Sequence, residues 1–223
     1  MRIGIIAEGR ADIAVIKAVV KAITGIDGSD MYAIRPKEIL DETDGEELKF
    51  SNWELVLQSC NNEQLLVPFF EGIDDEAILV VHIDTAERGE KNYDVLEPQR
   101  TGHPNWKEYS RELRNNVKIK IETLIPERHR DKVAYAIAIE ETDAWLIPLY
   151  DAAKRSDSAS NINAKEKLRT LIGAIKKNAK YIDTTHDNLN YSNLGKDLIK
   201  GIKIARKGNE SLNLFCMDIE SFL

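Results

Sequence analysis

Residues 77–83, Ala-Ile-Leu-Val-Val-His-Ile, are nearly all apolar and are followed at once by Asp84. A strand with one wet face alternates apolar and polar residues. An unbroken apolar run is buried on both faces, as in a central strand of a parallel sheet covered by helices on either side. The runs 3–7 (Ile-Gly-Ile-Ile-Ala) and 133–139 (Val-Ala-Tyr-Ala-Ile-Ala-Ile) read in the same way, and 31–35 is expected as a further strand. After the first run, Ile13, Ile16, Val19, Val20 and Ile23 recur at helical spacing, so 11–24 is expected as an amphipathic helix ending at Gly25. Helices are also expected over 53–60, 105–124, 142–150, 163–180 and 193–206, with 211–222 apolar enough to pack back onto the body. Residues 36–48 read as acidic and irregular, 126–131 as a turn, and 85–104, with Gly89, Pro98, Gly102 and Pro104, as a long loop. The expected fold is α/β and Rossmann-like: a mostly parallel sheet of about four strands flanked by helices, with a helical C-terminal part. The expected division is an α/β domain over 1–151 and a basic helical extension over 152–223.

The chain of 223 residues is 43% hydrophobic and 31% charged, enough apolar content for a core and too much charge for a membrane protein. No apolar run approaches the ~18 residues that span a bilayer. The N-terminus enters a strand pattern without a signal-peptide core, so the expectation is a cytoplasmic protein with no membrane partner. Cys60 and Cys216 offer neither metal-ligand spacing nor a disulfide framework. The net charge of −7, taken as a sum, disfavours nucleic acid, but it is unevenly spread: residues 154–207 carry 13 Lys and Arg against 5 Asp and Glu, a net +8, and the rest carries −15. Lys165, Lys167, Arg169, Lys176, Lys177 and Lys180, with Lys196 after Gly195, are candidates for phosphate contact, Lys176, Lys177 and Lys196 foremost. The bland alternative is a pair of solvated helices. Interleaved aromatics are scarce and no groove-reading motif is present, so sequence-specific binding is not expected.

The apolar runs share one property: each is closed by acid. Glu8 follows the first, Asp84 the second, and Glu141 with Asp143 the third. In an open parallel sheet ligands bind beyond the carboxyl ends of the strands, so these residues are expected to meet at one edge. Clustered carboxylates repel, and a divalent cation relieves that repulsion. Oxygen ligands without His or Cys clusters favour Mg²⁺ or Mn²⁺, ions suited to phosphoryl transfer. In the turn Glu8-Gly9-Arg10-Ala11-Asp12, Gly9 is expected to permit a tight turn and Asp12 lies in the first helical turn. The glycine patterns of a dinucleotide fingerprint and of a Gly-Lys-Ser/Thr phosphate loop are both absent. His82 reads as a core histidine. His103, His129 and His186 are scattered, and Trp53, Trp106 and Trp145 read as packing residues.

Strand–Glu-Gly-x-x-Asp, strand–Asp-Thr-Ala-Glu and strand–Glu-Thr-Asp-Ala-Trp, in that order over residues 1–150, resemble the Toprim fold of topoisomerases, bacterial primases and overcoming-lysogenization-defect (OLD) nucleases. The likeness is greatest to small bacterial Toprim-like proteins, including the RloB-like group. It implies Glu8 as general acid/base or metal ligand and Asp84 as the first acid of an Asp-x-Asp pair. Glu141 and Asp143 match the third segment, and Asp12 the second acid of the opening motif. Where the family has the second acid of the pair this chain has Ala86, with Glu87 one place later: either Glu87 substitutes, or the site binds metal poorly. The resemblance therefore implies a Mg²⁺- or Mn²⁺-dependent nuclease or phosphotransfer enzyme acting on DNA or RNA, in phage or mobile-element defence. The catalytic pair would be Glu8 and Asp84, and the metal ligands Glu8, Asp84, Glu87, Glu141 and Asp143. The alternative is an inactive binding or regulatory module working with a partner ATPase. A small-molecule phosphatase or nucleotide hydrolase is a third class.

Overall fold

The computed structural model describes residues 1–36, 52–72, 76–99, 105–151, 157–183 and 188–223. Strands β1 (Arg2–Ile6), β2 (Met31–Arg35), β3 (Ala77–Asp84) and β4 (Val133–Ala138) form a parallel sheet in the order β2-β1-β3-β4. The apolar runs thus form strands buried on both faces, β1 and β3 inside the sheet and β4 at its edge, with β3 buried along nearly its whole length.

Alternation along the strands sends side chains to two separate cores. Ile3, Ile5, Ile78, Val80, Ala134 and Ala136 face one layer, formed by helices α1 (Arg10–Thr24), α7 (Tyr191–Gly208) and α8 (Glu210–Glu220), with α6 (Ala164–Gly173) beyond. Ile6, Leu79, Val81, Ile83, Tyr135 and Ile137 face the other, formed by α2 (Trp53–Cys60), α3 (Glu63–Phe70) and α4 (Trp106–Leu124). In β4 the small residues Ala134, Ala136 and Ala138 all point to the first layer, which lets α8 settle directly on the strand. Gly195 does the same for α7 and α1: a Cβ there would lie 3.2 Å from the Ala18 Cβ.

The C-terminal segment is tied to the sheet by polar contacts as well as by burial. Asp218 Oδ2 accepts hydrogen bonds from Arg114 Nη2 (2.7 Å) and from the Tyr135 backbone N–H (3.0 Å). Trp145, fully buried, stacks against Phe215 and donates its indole N–H to Ser211 Oγ at 2.9 Å. Burial of a side chain of that size contributes about 3 kcal/mol, and the partnered N–H avoids the cost of a buried orphan donor. Residues on both sides of position 151 therefore share one core.

Several elements differ from expectation. The helix expected over 163–180 stops at Gly173, the poorest helix former after proline. A 3₁₀ turn (Asn178–Tyr181) and a two-stranded antiparallel ladder, β5 (Ile182–Asp183) with β6 (Asn188–Leu189), follow. The 142–150 helix is a 3₁₀ turn (Thr142–Trp145) continued by a short α5 (Ile147–Tyr150). Helix α3 was not anticipated, because Pro68 sits inside it. A helix this short has few interior hydrogen bonds for a proline to remove. The acidic stretch 36–48 lies, beyond Pro36, outside the described residues, as do His103 and His186. Among the described residues no helix is long and apolar enough to cross a membrane.

Strand β1 has β2 on one side and β3 on the other, so the chain reverses its direction of travel across the sheet there. That switch point opens a crevice at the carboxyl ends of β1 and β3.

Candidate metal centre

The loops at this edge are held by backbone pairing. Thr85 N–H reaches the carbonyls of Ala138 (3.1 Å) and Glu140 (3.0 Å), Ala86 N–H also reaches Glu140 (3.1 Å), and Thr85 Oγ1 accepts the Glu140 N–H (2.9 Å). Glu140 has φ +63°, a left-handed conformation that costs a residue with a side chain about 1 kcal/mol. Its buried carboxylate meets Arg88 Nη2 at 3.1 Å, and Arg88 also donates to the Thr85 carbonyl at 2.7 Å. Glu140 thereby fixes the segment after β3 against the turn after β4, which sets Asp84 beside Thr142.

Glu8 and Asp84 meet across the crevice: the Asp84 backbone N–H donates to Glu8 Oε1 at 2.7 Å. Asp84 Oδ1 accepts from the Thr142 backbone N–H and hydroxyl, both at 3.0 Å, and lies 3.2 Å from His82 Nε2. His82 Nε2 is also 2.6 Å from Thr142 Oγ1. Ligand atoms of Asp12, His82 and Asp84 all lie within 4.8 Å of one another. The edge is therefore an acid cluster with one imidazole at its base.

The electrostatics follow from burial and crowding. Burial, then the neighbouring Asp84 charge, pushes the Glu8 carboxyl up to about 8. Burial raises Asp84 to about 6, with the Asp12 charge adding to it and hydrogen bonds from His82 and Thr142 opposing it. Burial opposes a charged His82, yet Asp12, Asp84 and Glu8 together push its pKa up to about 9. At an effective dielectric of about 20, two like charges ~5 Å apart repel by about 3 kcal/mol. The carboxylates can all ionise at neutral pH only beside a cation. His82 supplies a single charge, and its Nδ1 is buried without a hydrogen-bond partner.

Further acids ring this centre. Burial raises Asp143 to about 7, the Tyr191 hydroxyl opposing this by donating to Oδ1 at 3.0 Å while the charges of Glu141 and Asp84 reinforce it. Glu87 is raised first by burial and then by the charges of Glu90, Glu141 and Asp12, and its Oε2 is buried with no hydrogen-bond partner. It stands within electrostatic reach of Glu8 as well. Glu141 points outward: its Oε2 accepts the Lys165 backbone N–H at 2.9 Å, and with Asn163, Lys165, Glu166 and Arg169 it lines a cleft of about 430 Å³. Tyr93 donates to the Asp84 carbonyl at 3.1 Å, and burial followed by the charges of Glu8 and Asp84 raises its phenol pKa.

All the expected acids thus lie along one edge, but their ranks change. Asp12, expected as a supporting residue, is in the tightest group, and His82 is a core histidine that also belongs to the cluster. Gly9 has φ −145°, ψ 165°, an extended conformation open to any residue, so no tight turn requires it. What it leaves is space: a Cβ would meet Asp12 Oδ2 at 3.0 Å. Lys165 and Arg169 border the acids through the Glu141 cleft. Lys176 and Lys177 are exposed in the turn after α6, and Lys196 is exposed on α7, donating to Asn193 Oδ1 at 3.1 Å. Sequence reasoning missed Thr142, Tyr93 and Tyr191. Thr142 sits between two residues already singled out, which was a usable signal; nothing distinguishes the two tyrosines from the others in the chain.

Thr142 gives a direct test of the cluster. Thr142→Val keeps the backbone bond to Asp84 but removes the hydroxyl between His82 and Asp84, and loss of such a supporting group costs about 10–100-fold in metal affinity. A Mn²⁺ titration by calorimetry checks this; unchanged affinity would show that the hydroxyl does not orient a metal ligand.

Comparison of the chain with protein-family models, with curated proteins and with solved structures gave no match in any of the three.

Proposed function

We propose that the protein is a divalent-cation-dependent phosphodiester hydrolase acting on nucleic acid, built on a Toprim-like arrangement of acids. The observation that carries this reading is the convergence of Glu8, Asp12, Asp84 and Asp143 at the β1/β3 switch point, where burial and mutual repulsion hold the carboxyls of Glu8, Asp84 and Asp143 at raised pKa values. The donor set fits a hard divalent ion. It is dominated by carboxylate oxygens, and the orphaned Glu87 Oε2 is a buried acceptor left without a donor. One imidazole in the group suits Mn²⁺ as well as Mg²⁺. Asp84, Asp12 and His82 would hold the ion, with Glu8, Glu87 and Asp143 around it.

A bound divalent ion would polarise a phosphate and lower the pKa of a coordinated water. The protein's own groups supply the rest. Glu8 Oε1 is engaged by the Asp84 N–H, which leaves Oε2 to give or take a proton, and a carboxyl raised to about 8 exchanges protons near neutral pH. Thr142 and Tyr191 orient Asp84 and Asp143. Lys165 and Arg169, lining the Glu141 cleft, would steer the phosphodiester. A defence or mobile-element setting rests on the Toprim resemblance alone. Incubation with plasmid DNA or RNA and Mg²⁺ or Mn²⁺ tests the reading: cleavage is expected in wild type and not in Glu8→Gln.

Two observations favour a second reading, an inactive module serving a partner ATPase. Ala86 replaces a family acid, and His82 already offers a cationic ring to the cluster. Absence of any thermal response to Mg²⁺ or Mn²⁺ would decide for it.

A further inference from the structure

A second cleft, of about 720 Å³, lies between α5, α6 and α7. It falls within the ~300–1,000 Å³ typical of small-molecule sites. Lys107, Lys167, Lys203 and Lys207 line it, all exposed. Among the described residues none of the four is held in an ion pair. Lys203 and Lys207 stand one turn apart on α7, where like charges destabilise a helix. Of the two carboxylates on the wall, Asp157 is already engaged, accepting from the backbone N–H groups of Ala159 and Glu210, both at 3.0 Å. Ile147, Pro148 and Ile204 give the cleft an apolar side, with Ile204 45% exposed. The wall is closely built: a Cβ on Gly208 would meet the Pro148 Cβ at 2.6 Å.

This cleft is distinct from the acid edge. Lys165 and Arg169, four residues apart on α6, border the Glu141 cleft, whereas Lys167 lies between them in sequence and, at 100° per residue, roughly on the opposite side of the helix. Helix α6 therefore separates two clefts, one lined by Glu141 and Glu166 together with Lys165 and Arg169, the other richer in ammonium groups than in carboxylates.

We propose that the lysine-lined cleft binds a phosphorylated small molecule of nucleotide size, its phosphates among Lys107, Lys167, Lys203 and Lys207 and its base against Ile147, Pro148 and Ile204. Lys107 faces the charge of Asp157, and the ammonium groups of Lys167, Lys203 and Lys207 around the concave space suit an anion carrying more than one charge. The adjoining apolar side suits a planar ring better than bare inorganic phosphate. A concave site of this size also fits a compact ligand better than a passing strand.

Calorimetry with ATP, tripolyphosphate and a 15-mer of deoxythymidine, all in EDTA at low salt, tests the proposal. EDTA removes metal-mediated binding at the acid edge, and Glu8→Gln serves as a second control there. The expected result is saturable ATP binding to wild type and to Glu8→Gln alike, with tripolyphosphate weaker than ATP. The double variant Lys203→Glu/Lys207→Glu should bind ATP at least about tenfold more weakly. Both lysines are exposed, and thermal melting verifies that the variant folds; Lys203→Gln/Lys207→Gln replaces it if it does not. Absence of saturable ATP binding to wild type would overturn the proposal, as would equal binding by the double variant. So would lysine-dependent binding of the oligonucleotide alone, which would make the cleft a strand track. Because the experiment contains no divalent ion, its failure leaves the hydrolase reading untouched.

Discussion

Glu8→Gln is expected to lower metal-dependent strand cleavage by about 10²–10⁴-fold, the range that a positioned proton-transfer group contributes. Gln is isosteric with Glu, and its side-chain oxygen can still accept the Asp84 N–H that now lies 2.7 Å from Glu8 Oε1. The backbone between β1 and β3 is therefore kept, and the variant should fold and melt at or above the wild-type temperature near pH 8. What it loses is the carboxyl that burial and Asp84 hold near 8, whose Oε1 is engaged by the Asp84 N–H and whose Oε2 is left to carry a proton. Asp84→Asn should lose as much activity for a different reason: it removes charge from the tightest ligand group while leaving an oxygen for the Thr142 N–H. Loss of activity with retained melting temperature in both variants is the expected pattern. Cleavage by Glu8→Gln at the wild-type rate would sink the catalytic assignment.

The second large effect is on stability. In the metal-free protein Glu8, Asp84 and Asp143 have folded pKa values raised above the usual carboxylate range, to about 8, 6 and 7. The folded state then binds more protons than the unfolded state between about pH 4 and 8, so its stability falls as pH rises through that window. His82 acts in the same direction. Its raised folded pKa gives a contribution that is complete below its ordinary value of 6.5 and lost as pH rises through about 9. The four groups add rather than cancel, and the metal-free melting temperature is expected to drop by on the order of 10 °C between pH 5 and 9. A divalent ion binds the ionised cluster and should restore most of that loss at high pH. Glu8→Gln should flatten the profile even without metal. Melting curves at several pH values, with EDTA and with Mn²⁺, check this. A metal-free profile that is flat or rises from pH 5 to 9 would mean that the carboxylates are not crowded as described.

Much of this arrangement was legible in the residues. The runs 3–7, 77–83 and 133–139 could be read as buried strands because nothing polar interrupts them, although β4 lies at the sheet edge, and the acids that close them were bound to gather once the strands lay parallel. Other features depend on contacts that periodicity does not encode. Pro68 concealed α3, and the end of α6 at Gly173 was obscured by the lysines beyond it. His82 looked like a core residue because its neighbours in sequence are apolar; its partners Asp12 and Thr142 come from other elements. Tyr191 reaches Asp143 only because α7 packs on α1, an approach that Gly195 and Ala18 permit. The basic C-terminal third was visible as a charge asymmetry. The sequence alone did not show that α6 would divide its lysines between two clefts.

The central claim is that the acids at the β1/β3 switch point hold a divalent cation. A crystal soaked in Mn²⁺ and measured for anomalous scattering tests it most directly. The account predicts a strong peak about 2.2 Å from carboxylate oxygens of Asp84 and Asp12, absent from Asp84→Asn crystals treated alike. An empty crevice at saturating Mn²⁺, or a peak that persists in Asp84→Asn, would contradict it.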